Sequence, residues 1–195
     1  IILLGDSGCG KSSTLKKYMR REYTDETVST PGIDLEIKFI KYNNTYIKVF
    51  FWDTAGQDVY HYITTNHFRN ANGFILFYDI TRQNTLDNCE NWMKKLNDII
   101  YIQKHKPLGL FIGNKIDLEK NVDINFANEF AKKHKLIFHE ISAKKYTNQL
   151  YEIINDFLIN VYKKYNKNNV KLNDNPLILN NINIELESNK KNSCC

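Results

Sequence analysis

The sequence predicts an α/β fold: a mostly parallel six-stranded sheet with one antiparallel edge strand and helices on both faces. Three observations predict it. An apolar run, Ile1 to Leu4, leads through a glycine-rich loop into a helical pattern. Apolar runs of strand length alternate with helix-period segments, as parallel strands covered on both faces require. One pair of segments, Ile33 to Lys41 and Tyr46 to Trp52, reads as an antiparallel hairpin.

The elements follow in order. Ile1 to Leu4 is a buried strand. Lys11 to about Glu22 is a helix, with Leu15, Tyr18 and Met19 on one face. Residues 23–32 are polar and contain Pro31-Gly32, so they form a loop. In the hairpin, Ile33, Leu35, Ile37 and Phe39 alternate with Asp34, Glu36 and Lys38, as in a half-buried strand, and Asn43-Asn44 supplies the turn. Asp53 to Gln57 is a loop after its second strand. Gly73 to Asp79 (GFILFYD) is a central parallel strand. Asn84-Thr85 caps a helix running to about Ile102, with Leu86, Cys89, Trp92, Met93 and Leu96 inward. Leu108 to Asn114 is a buried strand, Ile124 to His134 a helix and Leu136 to Ile141 a strand. Asn148 to about Lys164 is the last helix. From about Asn166 the composition turns to Asn, Lys and Ser around one apolar island, Pro176 to Leu186, which reads as a low-complexity extension. The expected domains are therefore 1–164, and a flexible tail at 165–195.

In such a fold, ligands sit at the carboxyl ends of the strands. The loop after the first strand, Gly5 to Ser12, has the spacing G-x-x-x-x-G-K-S. Its glycines let the backbone approach a polyphosphate, and its amides form an anion nest beside a helix N-terminus. Lys11 adds a charge near the β- and γ-phosphates, and Ser12 is placed to ligate Mg²⁺. Ser7, Gly8, Cys9, Gly10 and Ser13 complete the expected phosphate contacts. Asp53, at a strand end, suits a Mg²⁺-bound water. Gly56 can donate its amide to a terminal phosphate oxygen, and Gln57 can orient an attacking water. The Asp53-x-x-Gly56 spacing also occurs in ordinary turns.

Asn114-Lys115-Ile116-Asp117 follows a buried strand. A carboxylate at Asp117 can accept two hydrogen bonds from guanine, and adenine offers neither. At about 1.5–3 kcal/mol each, two such bonds give roughly a hundred- to ten-thousand-fold preference. Lys115 can lay its stem on the base, and Asn114 can brace the loops. A helix cap explains the Asn and Asp equally well on their own. After the last strand, the Ala143 amide of Ser142-Ala143-Lys144 could reach guanine O6, and Lys144 could pack over the base. Order and spacing across the loops carry the reading more than any one of them.

Net charge is +5 with pI about 8.9. The cations are dispersed, which favours solvated helix faces over nucleic-acid binding. The four cysteines show neither a disulfide framework nor a zinc spacing. No apolar run reaches the ~18 residues of a membrane span. The chain opens at Ile1, inside a strand, so further residues are expected before it.

GDSGCGKS at 5–12, WDTAGQ at 52–57, FYDIT at 77–81, NKID at 114–117 and SAK at 142–144 resemble the Ras-like small GTPases, and most closely the Rab family. That resemblance covers residues 1–164. It implies a P-loop NTPase of the Ras-like G-domain type that holds GTP or GDP with Mg²⁺. Residues 23–32 and 53–68 become the two switches. Tyr23 falls where an aromatic stacks on guanine. Thr30 falls where a threonine senses the γ-phosphate and joins Ser12 and Asp53 around the metal. Gln57, Lys11, Thr30 and Gly56 are the implied catalytic set. The implied partners are an exchange factor, an activating protein, effectors on 23–35 and 53–68, and an escort or GDI-like chaperone, acting on a monomer. Cys194-Cys195 would be geranylgeranylated, seating the protein on the cytosolic face of an intracellular membrane, with Lys190-Lys191 adding attraction. Ile182-Asn183-Ile184 fits the motif that docks on the escort protein, or is a stray apolar patch.

Two departures stand at partner-reading surfaces. Rabs follow the switch threonine with Ile-Gly-Val-Asp-Phe, and here Pro31 to Leu35 reads PGIDL. Their Glu-Arg-Phe after the glutamine is Asp58-Val59-Tyr60 here. The resulting expectation is a GTP/GDP switch of vesicle traffic with slow, activator-dependent hydrolysis. A P-loop ATPase or kinase, a signalling GTPase outside vesicle traffic, and a GTP-locked interaction module are the alternatives.

Overall fold

The computed structural model describes residues 1–20, 32–54, 71–100, 106–145 and 147–166. Its elements are β1 (Ile2–Leu4), α1 (Lys11–Arg20), β2 (Ile33–Tyr42), β3 (Thr45–Thr54), β4 (Gly73–Asp79), α2 (Gln83–Asp87), α3 (Cys89–Ile100), β5 (Leu108–Asn114), α4 (Ile124–His134), β6 (Ile137–Ile141) and α5 (Thr147–Asn166). Ile1–Lys163 form one unit, and of the part beginning at Lys164 the structure describes residues as far as Asn166.

The six strands lie in the order β2-β3-β1-β4-β5-β6. Among the described residues, β2 and β3 are the one antiparallel pair. Their register runs from Ile33 opposite Thr54 to Tyr42 opposite Thr45, closed by a turn in which Asn43 takes a left-handed φ of 53°. The expected edge hairpin is present: β2 starts at Ile33 and runs one residue further than expected, and β3 gains one residue before and two after. The apolar face expected to be buried is not: Leu35, Ile37 and Phe39 are exposed, because alternation marks a face without saying what packs on it.

Side chains alternate across the sheet, so successive residues of β1 and β4 serve opposite layers. Ile2, Leu4, Phe74, Leu76 and Tyr78 join a core closed by Leu86, Trp92, Met93, Leu96 and Phe130 of α2, α3 and α4. On the other face Tyr18 of α1 sits edge-on to Phe51 at 5.8 Å and tilts against Tyr151 of α5 at 5.1 Å. Phe157 and Val161 of α5 press on the backbone at Gly73. The central strands β4 and β5 are buried on both faces and read as unbroken apolar runs.

One helix differs from expectation. The segment after β4 begins at Gln83, with Arg82 in the N-cap position, and breaks at Asn88 before α3 starts at Cys89. Thr85 is not a cap. It is buried, and its hydroxyl donates to the Arg82 carbonyl at 2.7 Å while accepting from the Asp79 amide at 3.0 Å. At the break, the Asn88 side chain is drawn to Asp6, 2.6 Å away. That contact lies 82 residues distant in sequence, so no local pattern carries it.

Candidate functional site

Because β1, β3, β4, β5 and β6 run parallel, their carboxyl ends share one edge of the sheet. The loops after β1, β3, β4, β5 and β6 leave from it. Asp79 is registered with Asn114, and Asn114 with Ile141, which brings three loop starts side by side.

The loop after β1 turns on its glycines. At Gly5 the backbone is at φ 129°, and an added Cβ would lie 2.3 Å from the Phe77 carbonyl oxygen. At Gly10, φ is 89°, and a Cβ would lie 2.2 Å from Asn114 Nδ2. Neither position has room for a side chain. The buried Lys11 reaches back into the loop it follows, donating to the Gly5 carbonyl at 2.7 Å and the Asp6 carbonyl at 3.0 Å. Burial lowers its pKa from the ordinary lysine value, opposed by the nearby Cys9, Asp53 and Asp6. Burial pushes the Cys9 thiol up, and the charges of Lys11 and Arg82 work against that rise. Ser7 and Gly8 are exposed at the lip, and Ser13 is half-buried on α1. Asp6 accepts from Asn88 Nδ2 and, at 2.8 Å, from Trp92 Nε1, tying the loop to α3.

Asp53 stands at the end of β3, registered with Leu3 just before the glycine-rich loop. Burial raises its pKa, and a hydrogen bond from Ser12 and the charge of Lys11 work against that rise. Its Oδ1 is buried and has no hydrogen-bond partner among the described residues. A buried carboxylate oxygen without a partner is costly. A hydroxyl and a carboxylate side by side, with one oxygen unsatisfied, fit the water shell of a magnesium ion, whose ligands are hard oxygens.

Asn114 is the junction. Its Nδ2 donates to the Cys9 carbonyl at 2.9 Å, and its Oδ1 accepts from the Lys115 amide at 2.8 Å and the Ala143 amide at 3.2 Å. One side chain thus joins three loops. The Ala143 amide, read from sequence as a base donor, has Asn114 as its partner here. Ser142 Oγ donates to Asp117 Oδ1 at 2.6 Å and accepts from the Lys145 amide at 2.9 Å, fixing the direction of that carboxylate. Lys115 takes a left-handed φ of 77°, and its Nζ meets Asp79 Oδ2 at 2.6 Å. Lys144 is exposed. Tyr23, Thr30, Pro31, Gly56, Gln57, the remainder of the second expected switch, the apolar island and Cys194-Cys195 lie outside the described residues.

The Ras family model matches residues 1–163. The chain belongs to the Ras family. Among its relatives, the Ras-related protein Rab-1D of Dictyostelium discoideum is 41% identical over 150 residues, covering 76% of this chain and 72% of that protein. The Ras-related protein Rab-18-B of Danio rerio is 37% identical over 145 residues, 74% and 70% of the two chains. The Ras-related protein RABA1f of Arabidopsis thaliana aligns along the whole chain and 92% of its own length, at 33% identity. Ras-family proteins are small GTPases that bind GTP and GDP with Mg²⁺.

In this small GTPase the sequence reading passed over two residues that the fold brings to the site. Asp79 ends β4, with 1% of its side chain exposed, and takes Arg82 Nε at 3.0 Å as well as Lys115. The same guanidinium reaches the Ser7 carbonyl at 3.1 Å. A signal was present: a charged residue closing an otherwise apolar strand at the ligand edge, with an opposite charge three residues on. What it lacked was the strand order that sets β4 beside β1.

Proposed function

We propose that this small GTPase is a Rab-like switch of vesicle traffic, in which bound GTP orders residues 23–32 and 53–68 and hydrolysis releases them. The observation that carries the reading is Asn114. One side chain tying the phosphate loop to both base-side loops supports a single ligand with a polyphosphate at one end and a base at the other. The Asp117 carboxylate, held by Ser142, supports guanine as that base. Lys11 and the loop amides neutralise the phosphates, Ser12, Thr30 and Asp53 hold the metal, and Gln57 positions the attacking water with Gly56 at the γ-phosphate. Ser7, Gly8, Cys9, Gly10 and Ser13 line the phosphate end, with Tyr23, Lys115, Ala143 and Lys144 toward the base. Magnesium held there would supply positive charge to the phosphate end of the site.

Turnover without an activator is on the order of 10⁻⁴–10⁻³ s⁻¹, the range of an unassisted Ras-type site. Effectors read 23–35 and 53–68. Leu35, Ile37, Phe39 and Phe50, exposed on the strands that join these segments, support a partner-facing surface there. Residues 165–195 are a tail that carries geranylgeranyl groups on Cys194-Cys195, loaded with help from an escort protein, and attaches the G domain to the cytosolic face of an intracellular membrane.

Competition binding with GTP, ATP and xanthosine triphosphate tests the site. The protein is expected to prefer GTP over ATP by a hundredfold or more, on the order set by two charged hydrogen bonds. Asp117→Asn is expected to move that preference toward the xanthine nucleotide, whose 2-oxo group needs a donor. Equal affinity for ATP, or an unchanged preference in the variant, rejects the reading.

A further inference from the structure

The geometry points to Arg82 as a positioning residue of the phosphate loop, anchored by Asp79, which at the same time anchors Lys115 of the base loop. This rests on the nucleotide-binding reading above. A trans peptide unit is rigid, and its C=O and N–H point to opposite sides. Whatever holds a loop carbonyl therefore aims the next residue's amide. No peptide bond among the described residues is cis.

Among the described residues, Lys11, Asn114 and Arg82 hold loop carbonyls in this way. Lys11 takes Gly5 and Asp6, Asn114 takes Cys9, and Arg82 takes Ser7. Lys11 and Asn114 belong to the motifs. Arg82 does not, yet it holds the peptide unit that carries the Gly8 amide and turns that amide to the side away from the guanidinium. A Cβ on Gly8 would lie only 3.3 Å from the Arg82 terminal nitrogen, so the guanidinium lies against this stretch of loop.

Arg82 is itself fixed. Its Nε bonds Asp79 Oδ2 at 3.0 Å, and that oxygen also receives Lys115 Nζ at 2.6 Å. The other oxygen, Oδ1, takes the Thr81 amide at 3.0 Å and hydroxyl at 2.8 Å. One buried carboxylate with four donors orients the cation that aims the phosphate loop and the lysine of the base loop. The planar fork of arginine allows Nε to meet Asp79 while a terminal nitrogen meets Ser7, whereas a lysine carries all its donors on one nitrogen and lacks the fork that spans the two.

The test measures the affinities of the full chain for GDP and for GMP by displacement of a fluorescent guanine nucleotide, with thermal midpoints as a control. In Arg82→Ala, GDP affinity is expected to fall roughly tenfold, the loss of one charge-assisted hydrogen bond. GMP affinity should fall less, because the cradle serves the phosphates. Arg82→Lys keeps the charge but not the fork, and should show most of the same fall. Asp79→Asn should weaken both nucleotides, GMP through the release of Lys115 and GDP further through the release of Arg82 as well. Unchanged GDP affinity in Arg82→Ala, equal losses for GDP and GMP there, or full recovery in Arg82→Lys would each overturn the positioning role. An unmodified protein that fails to bind GDP overturns the underlying reading, and this inference with it.

Discussion

Asp79 shows how far a single carboxylate can be asked to serve. Burial alone would raise its pKa, but hydrogen bonds from Lys115 and Thr81 outweigh burial and hold it below the ordinary value. The sign of the pH effect follows. A carboxyl whose folded pKa lies below its unfolded value of about 3.9 contributes its full share of stability above that pH. The share is lost as pH falls through the folded value. Asp79→Asn removes it throughout. The difference in urea midpoint between Asp79→Asn and the unmodified protein is therefore expected to be full at pH 6 and to shrink below about pH 4. A difference that stays constant down to pH 2 would contradict the assignment. Among residues, then, the conspicuous motif positions depend on an acid and an arginine whose importance comes only from where they meet.

At the scale of elements, α4 shows both kinds of helix end. Asp123, at the N-cap, accepts from the Asn125 amide at 2.8 Å, satisfying one of the otherwise unpaired first-turn donors. At the other end Lys135 takes φ 57°, a left-handed conformation that a Cβ disfavours, while its amide bonds back to the last turn. The two ends give opposite expectations in urea unfolding. Asp123→Ala should lose about 1 kcal/mol. Lys135→Gly should gain up to about 1 kcal/mol, since glycine takes that conformation without steric cost. The same sign for both would mean that the caps do not control this helix. The α2–α3 pair obeys a different logic. Where its two segments meet, the Asn88 side chain bonds Asp6 in the phosphate loop, a contact that no window of neighbouring residues carries.

For the whole molecule, the proposed lipid anchor makes attachment a matter of arithmetic. One lipid chain gives marginal, reversible binding, and two give stable attachment. Removing Cys194 and Cys195 is expected to shift the protein from the membrane pellet to the soluble fraction of a cell extract. Removing one should leave an intermediate distribution. Full pelleting without either cysteine would reject the anchor. GDP affinity should be unchanged in the truncated protein, because no motif of the nucleotide site lies beyond residue 144.

By itself the sequence determined the class of fold, the hairpin with its Asn43 turn, and the glycine-rich loop with Lys11, Ser12 and Asp53 near it. Those features are written locally, in period-two alternation, unbroken apolar runs and fixed spacings, and local sterics translate them directly into structure. The approximate positions of Asn114, Asp117 and Ser142 at strand ends were legible for the same reason. Only the tertiary structure decided how they are joined: Asn114 to Cys9 and Ala143, Ser142 to Asp117, and Arg82 to Ser7 through Asp79. The physical reason is strand order. Placing β4 between β1 and β5 brings together loops up to 105 residues apart, and a hydrogen bond between them depends on that neighbourhood rather than on any spacing along the chain.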